Sequence, residues 1–130
     1  MGKDAKALKL LTRLPDGLRD RAMLELLYAT GLRVTELVSL RFDQVNMVQG
    51  VIRVMGKGSK ERLVPLGDEA ADWLQRYLDD SRPAMAGEGA ARELFITRRG
   101  KSMTRQAFWY RLRHYAVQSG IRKKLSPHTL

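Results

Sequence analysis

What this 130-residue chain lacks excludes several classes of protein. It has no cysteine, which excludes disulfides, thiolate zinc sites and cysteine nucleophiles. It has only two histidines, His114 and His128, too few for a metal cluster, and we expect no cofactor. No apolar run approaches the roughly 18 residues of a membrane span, and the first residues lack the apolar region of a signal peptide. We therefore expect a cytoplasmic domain that does not contact a membrane.

Negative charge is missing from the last quarter of the chain. The whole sequence has 24 Lys and Arg against 14 Asp and Glu, a net charge of +10. Residues 98–130 hold nine of the basic residues and no acid, together with Phe108, Trp109, Tyr110 and Tyr115. A segment of one charge sign with aromatic side chains suits a polyanion such as DNA. The alternative is a plain basic surface without a partner.

A glycine separates two apolar helical patterns in the first quarter of the chain. The first pattern predicts a helix that Asp16 caps and that ends near Thr30. The second predicts a shorter helix from Val34 to about Leu40. Gly31 stands where a helix needs a left-handed C-terminal cap, so the chain is expected to break there.

Arg33 lies at this break, between two helices that face the core. An arginine held in such a place would present its planar fork of donors to a carboxylate or a phosphate. The alternative is a structural ion pair with Glu36, three residues on. Arg33 is therefore either a candidate anion ligand or a structural residue.

Two β-branched segments, 51–54 and 61–66, predict antiparallel strands joined by a glycine-containing turn. The turn reads Gly56-Lys57-Gly58-Ser59-Lys60, and it joins two strands rather than a strand and a helix. It is therefore not a nucleotide phosphate loop. Lys57 is a candidate functional residue, and a solvated basic turn is the alternative. Pro65 places the second strand at an edge or near its end.

The second half predicts a helix from residue 68 to about 80, with Trp73 in the core-facing stripe. Residues 81–93 are rich in small residues and predict a mobile loop, and residues 94–97 predict a third short strand. The predicted fold class is α+β, a mainly helical domain with a small antiparallel three-stranded sheet.

Basic side chains follow, first in a turn at residues 98–101 and then in a helix that Thr104 caps and Gly120 ends. We expect the basic residues of both elements to face outward and to meet phosphates. The predicted DNA-binding residues are Arg98, Arg99, Lys101, Arg105, Arg111 and Arg113. Ser126 and Pro127 predict the start of another helix, and the residues from Pro127 to Leu130 cover only about its first turn. We therefore expect a longer natural protein.

Three stretches together resemble the tyrosine recombinases, the phage-integrase family, of the bacterial XerC/XerD type. They are residues 18–37 with Ala29-Thr30-Gly31-Leu32-Arg33, residues 54–66 with the lysine hairpin, and Leu125-Ser126-Pro127-His128-Thr129-Leu130. They follow the family's order and spacing over all but the first dozen residues. The resemblance implies that residues 15–130 are the first part of a catalytic domain, ending inside the His-x-x-Arg helix, and that residues 1–14 are a lead-in.

The resemblance also implies roles for three residues. Arg33 would be the first catalytic arginine, Lys57 the hairpin lysine and His128 the first residue of the His-x-x-Arg motif. The family cleaves and rejoins DNA by metal-free transesterification through a 3′-phosphotyrosyl link. Its second arginine and its tyrosine nucleophile would follow residue 130, so we expect the chain by itself to be inactive. None of Tyr28, Tyr77, Tyr110 and Tyr115 matches the nucleophile.

The implied partners are double-stranded DNA and paired recombinase subunits in a tetrameric synapse. The implied role is chromosome dimer resolution, which serves chromosome partition and cell division, or DNA integration, at the nucleoid in the bacterial cytoplasm. Two other functions fit the residues less well: a DNA-binding module without chemistry, and an interaction domain with incidental charge.

Overall fold

The computed structural model describes residues 15–118, apart from residues 57, 59 and 88. Its helices and strands, in chain order, are α1 Pro15–Thr30, α2 Val34–Ser39, β1 Val45–Asn46, β2 Val51–Met55, β3 Glu61–Pro65, α3 Asp68–Arg76, α4 Arg82–Ala86 and α5 Arg105–Gln118. A 3₁₀ turn, Phe42–Gln44, precedes β1, and a π-helical turn, Tyr77–Ser81, joins α3 to α4. None of the helices in this part of the chain is long and apolar enough to cross a membrane.

Several predictions concern residues outside the described ones. These are the lead-in at residues 1–14, Lys57 in the hairpin turn, the end of the last long helix at Gly120, the helix opening at Ser126 and Pro127, and His128.

The break between α1 and α2 is confirmed. Gly31 has φ +70° and donates its N–H to the Leu27 carbonyl at 3.0 Å, which closes the end of α1. The prediction that Asp16 caps α1 was wrong. Asp16 lies inside the first turn of the helix, and its carboxylate faces arginines from the other end of the chain.

The sheet has the order β1-β2-β3, and both pairs of strands are antiparallel. Strands β2 and β3 form the predicted hairpin, and Pro65 is the last residue of an edge strand. The third strand is Val45–Asn46, so its prediction at residues 94–97 was wrong. Leu94 instead donates its N–H to the Leu40 carbonyl at 2.8 Å, at the end of α2. That segment is buried in the core instead of extending the sheet.

The predicted loop at residues 81–93 begins later than expected, because helical structure continues through α4 to Ala86. The Arg82 guanidinium donates to the carbonyls of Ala91, Glu93 and Leu94 at 3.0 Å each. The buried Tyr77 hydroxyl also donates to the Leu94 carbonyl, at 2.8 Å. These bonds satisfy backbone carbonyl groups and fix the end of the segment on the π-helical turn and α4.

The core lies between α1, α3, the inner face of the sheet and α5. Its largest fully buried side chains include Met23, Leu26, Leu37, Ile52, Leu66, Leu74, Tyr77, Phe95 and Phe108. Trp73 packs at the edge of this core, with the Arg21 and Arg76 guanidinium carbons 4.5 and 4.9 Å from its ring centroid. The predicted fold class is confirmed: the domain is mainly helical with a small antiparallel three-stranded sheet.

Candidate active site and nucleic-acid interface

Arg33 is held by its backbone and exposed through its side chain. It precedes the first residue of α2 in an extended conformation, φ −73° and ψ 152°, directly after the turn that Gly31 makes. Its backbone N–H donates to Glu36 Oε1 at 2.9 Å. A carboxylate that accepts this N–H at the start of a helix satisfies an otherwise unpaired backbone donor and holds the chain where it enters the helix.

The expected alternative, an ion pair between the side chains of Arg33 and Glu36, is not formed. The Glu36 carboxylate accepts the backbone N–H of Arg33, and its second oxygen lies 3.7 Å from a guanidinium nitrogen of Arg62. Within residues 15–118 as described, no acid forms an ion pair with the Arg33 guanidinium. The side chain is therefore open to an anion from outside.

The hairpin lies beside this break. Arg62 belongs to β3, so its contact with Glu36 connects the hairpin to α2. At the same end of the strands, Gly56 donates its N–H to the Lys60 carbonyl at 2.7 Å and closes the turn. Of the three predicted catalytic residues, the described structure thus positions Arg33, and it positions the strands that flank Lys57.

Four of the six predicted DNA-binding side chains are exposed and form no ion pair in the described part of the chain: Arg99, Lys101, Arg105 and Arg113. Arg99 and Lys101 lie in a tight turn, in which both donate their backbone N–H groups to the Thr97 hydroxyl, at 3.2 and 3.3 Å. Arg105 and Arg113 lie on α5, whose N-cap is Thr104 as predicted: its hydroxyl accepts the Ala107 N–H at 3.0 Å. We call these four exposed side chains the basic surface, and the sequence from residue 98 onward has no acid.

Arg111 does not belong to this surface, and the prediction that it faces outward was wrong. Its guanidinium, 25% exposed, bridges two carboxylates of α1, with Nε 2.9 Å from Asp20 Oδ2 and a terminal nitrogen 3.2 Å from Asp16 Oδ2. The reason is its position on the flank of α5, next to the core-facing Phe108 and Leu112. The contact joins α5 to the start of α1.

Arg98 and Arg19 complete this network. Arg98 donates to Asp16 Oδ1 at 3.0 Å, and Arg19 pairs with Asp20 at 2.8 Å while also donating to the Ile96 carbonyl at 3.1 Å. Burial by itself would raise the pKa of Asp16. The hydrogen bond from Arg98 and the charges of Arg111, Arg98 and Arg19 outweigh it and hold that pKa below 3.8.

Sequence reasoning missed these acids as partners. The available signal was the spacing of Asp16 and Asp20, four residues apart and so on one face of the helix that also buries Leu26 and Met23. Acids on a buried helix face require cations, and the acid-free end of the chain supplies them.

The aromatic residues of α5 divide between core and surface. Phe108 and Trp109 are buried, whereas Tyr110 is 70% exposed. Tyr110 is therefore the exposed aromatic residue among the α5 side chains that the structure describes. No group of three or more potential metal ligands occurs among the described residues.

Comparison with known proteins gives one family. The sequence profile of the Phage integrase family matches residues 3–130. Tyrosine recombinase XerD of Pseudomonas putida is 63% identical over 114 residues, which are 88% of this chain and 38% of that protein. Tyrosine recombinase XerD of Ralstonia nicotianae is 59% identical over 117 residues, 89% of this chain and 38% of that protein. The chain thus spans about 38% of the length of these curated relatives.

Solved structures agree with the predicted fold class. The crystal structure of XerA recombinase superposes with a TM-score of 0.77 and 27% identity, covering 98% of this chain and 46% of that one. XerH site-specific recombinase, bound to its difH substrate, superposes with a TM-score of 0.71 and 22% identity, covering 95% and 37%. Fold, profile and sequence identity lead to the same conclusion: this chain belongs to the phage integrase family.

Proposed function

We propose that residues 15–130 are the first part of the catalytic domain of a site-specific tyrosine recombinase. The parent protein cleaves and rejoins DNA strands through a 3′-phosphotyrosyl intermediate. The observation that carries the proposal is Arg33, whose backbone is fixed by the Gly31 turn and the Glu36 carboxylate while its guanidinium stays exposed without an ion pair among the described residues.

Arg33 takes the role of phosphate ligand. In transesterification, charge grows on the nonbridging oxygens of the scissile phosphate, and a fixed guanidinium stabilises that charge without reorganising. The fork of Arg33 offers two parallel donors to such oxygens, which a lysine in the same place does not. The fixed entry into α2 supports this role, because the backbone that carries the donor is already in place.

Two further roles complete the proposal, and both fall on residues outside the described ones. Lys57 protonates the departing 5′-oxygen from the hairpin, and His128 supports proton transfer beside the phosphate. The contact between Glu36 and Arg62 supports the first role, because it holds the hairpin against the element that carries Arg33.

The proposed partner is double-stranded DNA, bound first through the basic surface. Arg99, Lys101, Arg105 and Arg113 meet phosphates, and Arg111 is withdrawn from the predicted set because it pairs with two buried acids. Since the relatives are named XerD, we propose that the parent pairs with recombinase subunits in a tetrameric synapse. We propose that the parent serves either chromosome dimer resolution or DNA integration. Its location would be the nucleoid in the bacterial cytoplasm.

A salt-dependent DNA titration tests the proposed interface. Fluorescence anisotropy with a labelled duplex is expected to show weak binding that falls steeply as salt rises, because each neutralised phosphate releases counterion. Arg113→Gln should lower the slope of log affinity against log salt by about 0.9. The matched control is Arg76→Gln, which removes one exposed arginine from the acid-rich helix α3 and should leave the slope nearly unchanged.

The outcomes separate the alternatives. Binding that is absent at low salt, or indifferent to salt, would contradict the DNA function. Equal effects of Arg113→Gln and Arg76→Gln would contradict the placement of the interface. A DNA-binding module without chemistry would not cleave DNA. A recombinase chain extended to the relatives' length should instead cleave a strand of a nicked duplex.

A further inference from the structure

Five charged side chains meet where the start of α1, the turn at residues 97–101 and α5 come together. We call them the charge cluster: Asp16, Asp20, Arg19, Arg98 and Arg111. Asp20 is buried and is paired with both Arg19 and Arg111. Asp16 is paired through one oxygen with Arg98 and through the other with Arg111. Each carboxylate therefore has two arginine partners.

Arg98 differs from the other two arginines in its exposure. Its side chain is 61% exposed, whereas that of Arg111 is 25% and that of Arg19 is 5% exposed. If Arg98 turned away, Asp16 would keep the Arg111 contact at 3.2 Å, so no buried carboxylate would be left without a cation. Arg98 is thus the cation that the cluster can release.

Arg98 lies in a closed turn beside two exposed basic side chains. Arg99 and Lys101 of the same turn are exposed, and the Thr97 N–H donates to the Lys101 carbonyl at 2.7 Å, which keeps the turn closed. Because the backbone is held, only the side chain of Arg98 needs to rotate to reach an anion beside its neighbours. Arg98 is already largely exposed and Asp16 keeps its Arg111 contact, so this rotation meets a small opposing free energy.

We propose that Asp16 and a DNA phosphate compete for the Arg98 guanidinium, so that Asp16 is an intramolecular competitor that lowers the affinity of this surface for DNA. The inference rests on the proposed DNA function of the basic turn. In the free protein the Arg98 guanidinium pairs with the Asp16 carboxylate. When DNA binds, the guanidinium rotates to pair with a phosphate, and Arg111 continues to neutralise Asp16. The charge cluster therefore influences the affinity for DNA, although its two carboxylates do not contact the DNA.

A double-mutant cycle tests the competition with the whole chain and a labelled duplex. Asp16→Asn keeps an acceptor for Arg111 but removes the charge that holds Arg98. Asp43→Asn is the matched control, because it removes one carboxylate charge that pairs with Arg41 at 3.3 Å and is 69% exposed. We expect Asp16→Asn to raise DNA affinity about two- to fivefold more than Asp43→Asn, the range for an ion pair with one largely exposed partner. In an Arg98→Gln background this difference should disappear.

The other outcomes overturn the inference. Equal gains from Asp16→Asn and Asp43→Asn would mean that only net charge matters. A gain that persists with Arg98→Gln would mean that Arg98 is not the residue for which the two anions compete. Wild-type protein that fails to bind DNA would remove the proposed function and this inference together, whereas normal wild-type binding with an ineffective Asp16→Asn removes only the inference.

A second comparison covers the case in which Asp16→Asn does not fold. Arg98→Gln leaves the pairs of Asp16 and Asp20 with Arg111 and Arg19 in place, so it should fold. Its loss of DNA affinity should be about two- to fivefold smaller than that of Arg99→Gln, because the phosphate contact of Arg98 is offset by the contact it gives up. A loss equal to or larger than that of Arg99→Gln would refute the competition.

Discussion

Replacing Arg111 with alanine should destabilise the domain rather than only weaken its binding of DNA. The change removes a donor 2.9 Å from Asp20 and another 3.2 Å from Asp16. Removing one partner of a buried pair costs about 3 to 5 kcal/mol, because a buried charge is left uncompensated. Here each acid keeps one other arginine, Arg98 or Arg19, and we therefore expect a loss of about 2 to 3 kcal/mol in the free energy of unfolding.

Urea unfolding, followed by the fluorescence of Trp73 and Trp109, measures this loss. Both indoles pack in or against the core, so their emission should report the loss of tertiary structure. The matched control is Arg113→Ala on the same helix, whose exposed side chain should change stability by less than about 0.5 kcal/mol. If Arg111→Ala is as stable as Arg113→Ala and binds DNA more weakly, Arg111 is a phosphate ligand and its structural assignment is wrong.

Two further predictions concern Arg33 and Asp16. In a chain extended to the relatives' length, Arg33→Lys should lower strand cleavage by about 10² to 10³ while DNA affinity hardly changes, because charge is kept and the two-pronged geometry is lost. Circular dichroism checks that the Arg33→Lys protein is folded. Near-normal cleavage by the folded variant would refute the catalytic role of Arg33 and leave only the proposed DNA binding. The pKa of Asp16 is lower in the folded protein than its ordinary 3.8, so its stabilisation is present above that value and is lost as pH falls through the folded pKa. Acid titration of stability should therefore show a steeper fall below about pH 4 for wild type than for Asp16→Asn, and identical profiles would contradict the cluster's role.

The sequence by itself determined the features that depend on local backbone preferences. The left-handed turn at Gly31, the hairpin between β2 and β3 and the capping of α5 by Thr104 were all predicted, and each is confirmed. They are predictable because the energy of a turn or a cap depends on a few consecutive residues. The position of Arg33 at this break was predicted as well, whereas the exposure of its side chain is a finding of the structure.

Only the tertiary structure decided which charged groups are partners. Arg98 and Arg111 meet Asp16 and Asp20 across 82 and 91 residues of sequence, and no local pattern specifies such a distance. Likewise, residues 94–97 have the composition of a strand, yet they form a buried segment. The end of α2, the π-helical turn and α4 supply partners for the backbone groups of Leu94. Helices and turns are determined by neighbouring residues. The partners of a buried charge, and the conformation of an apolar segment, depend on which distant elements pack beside them.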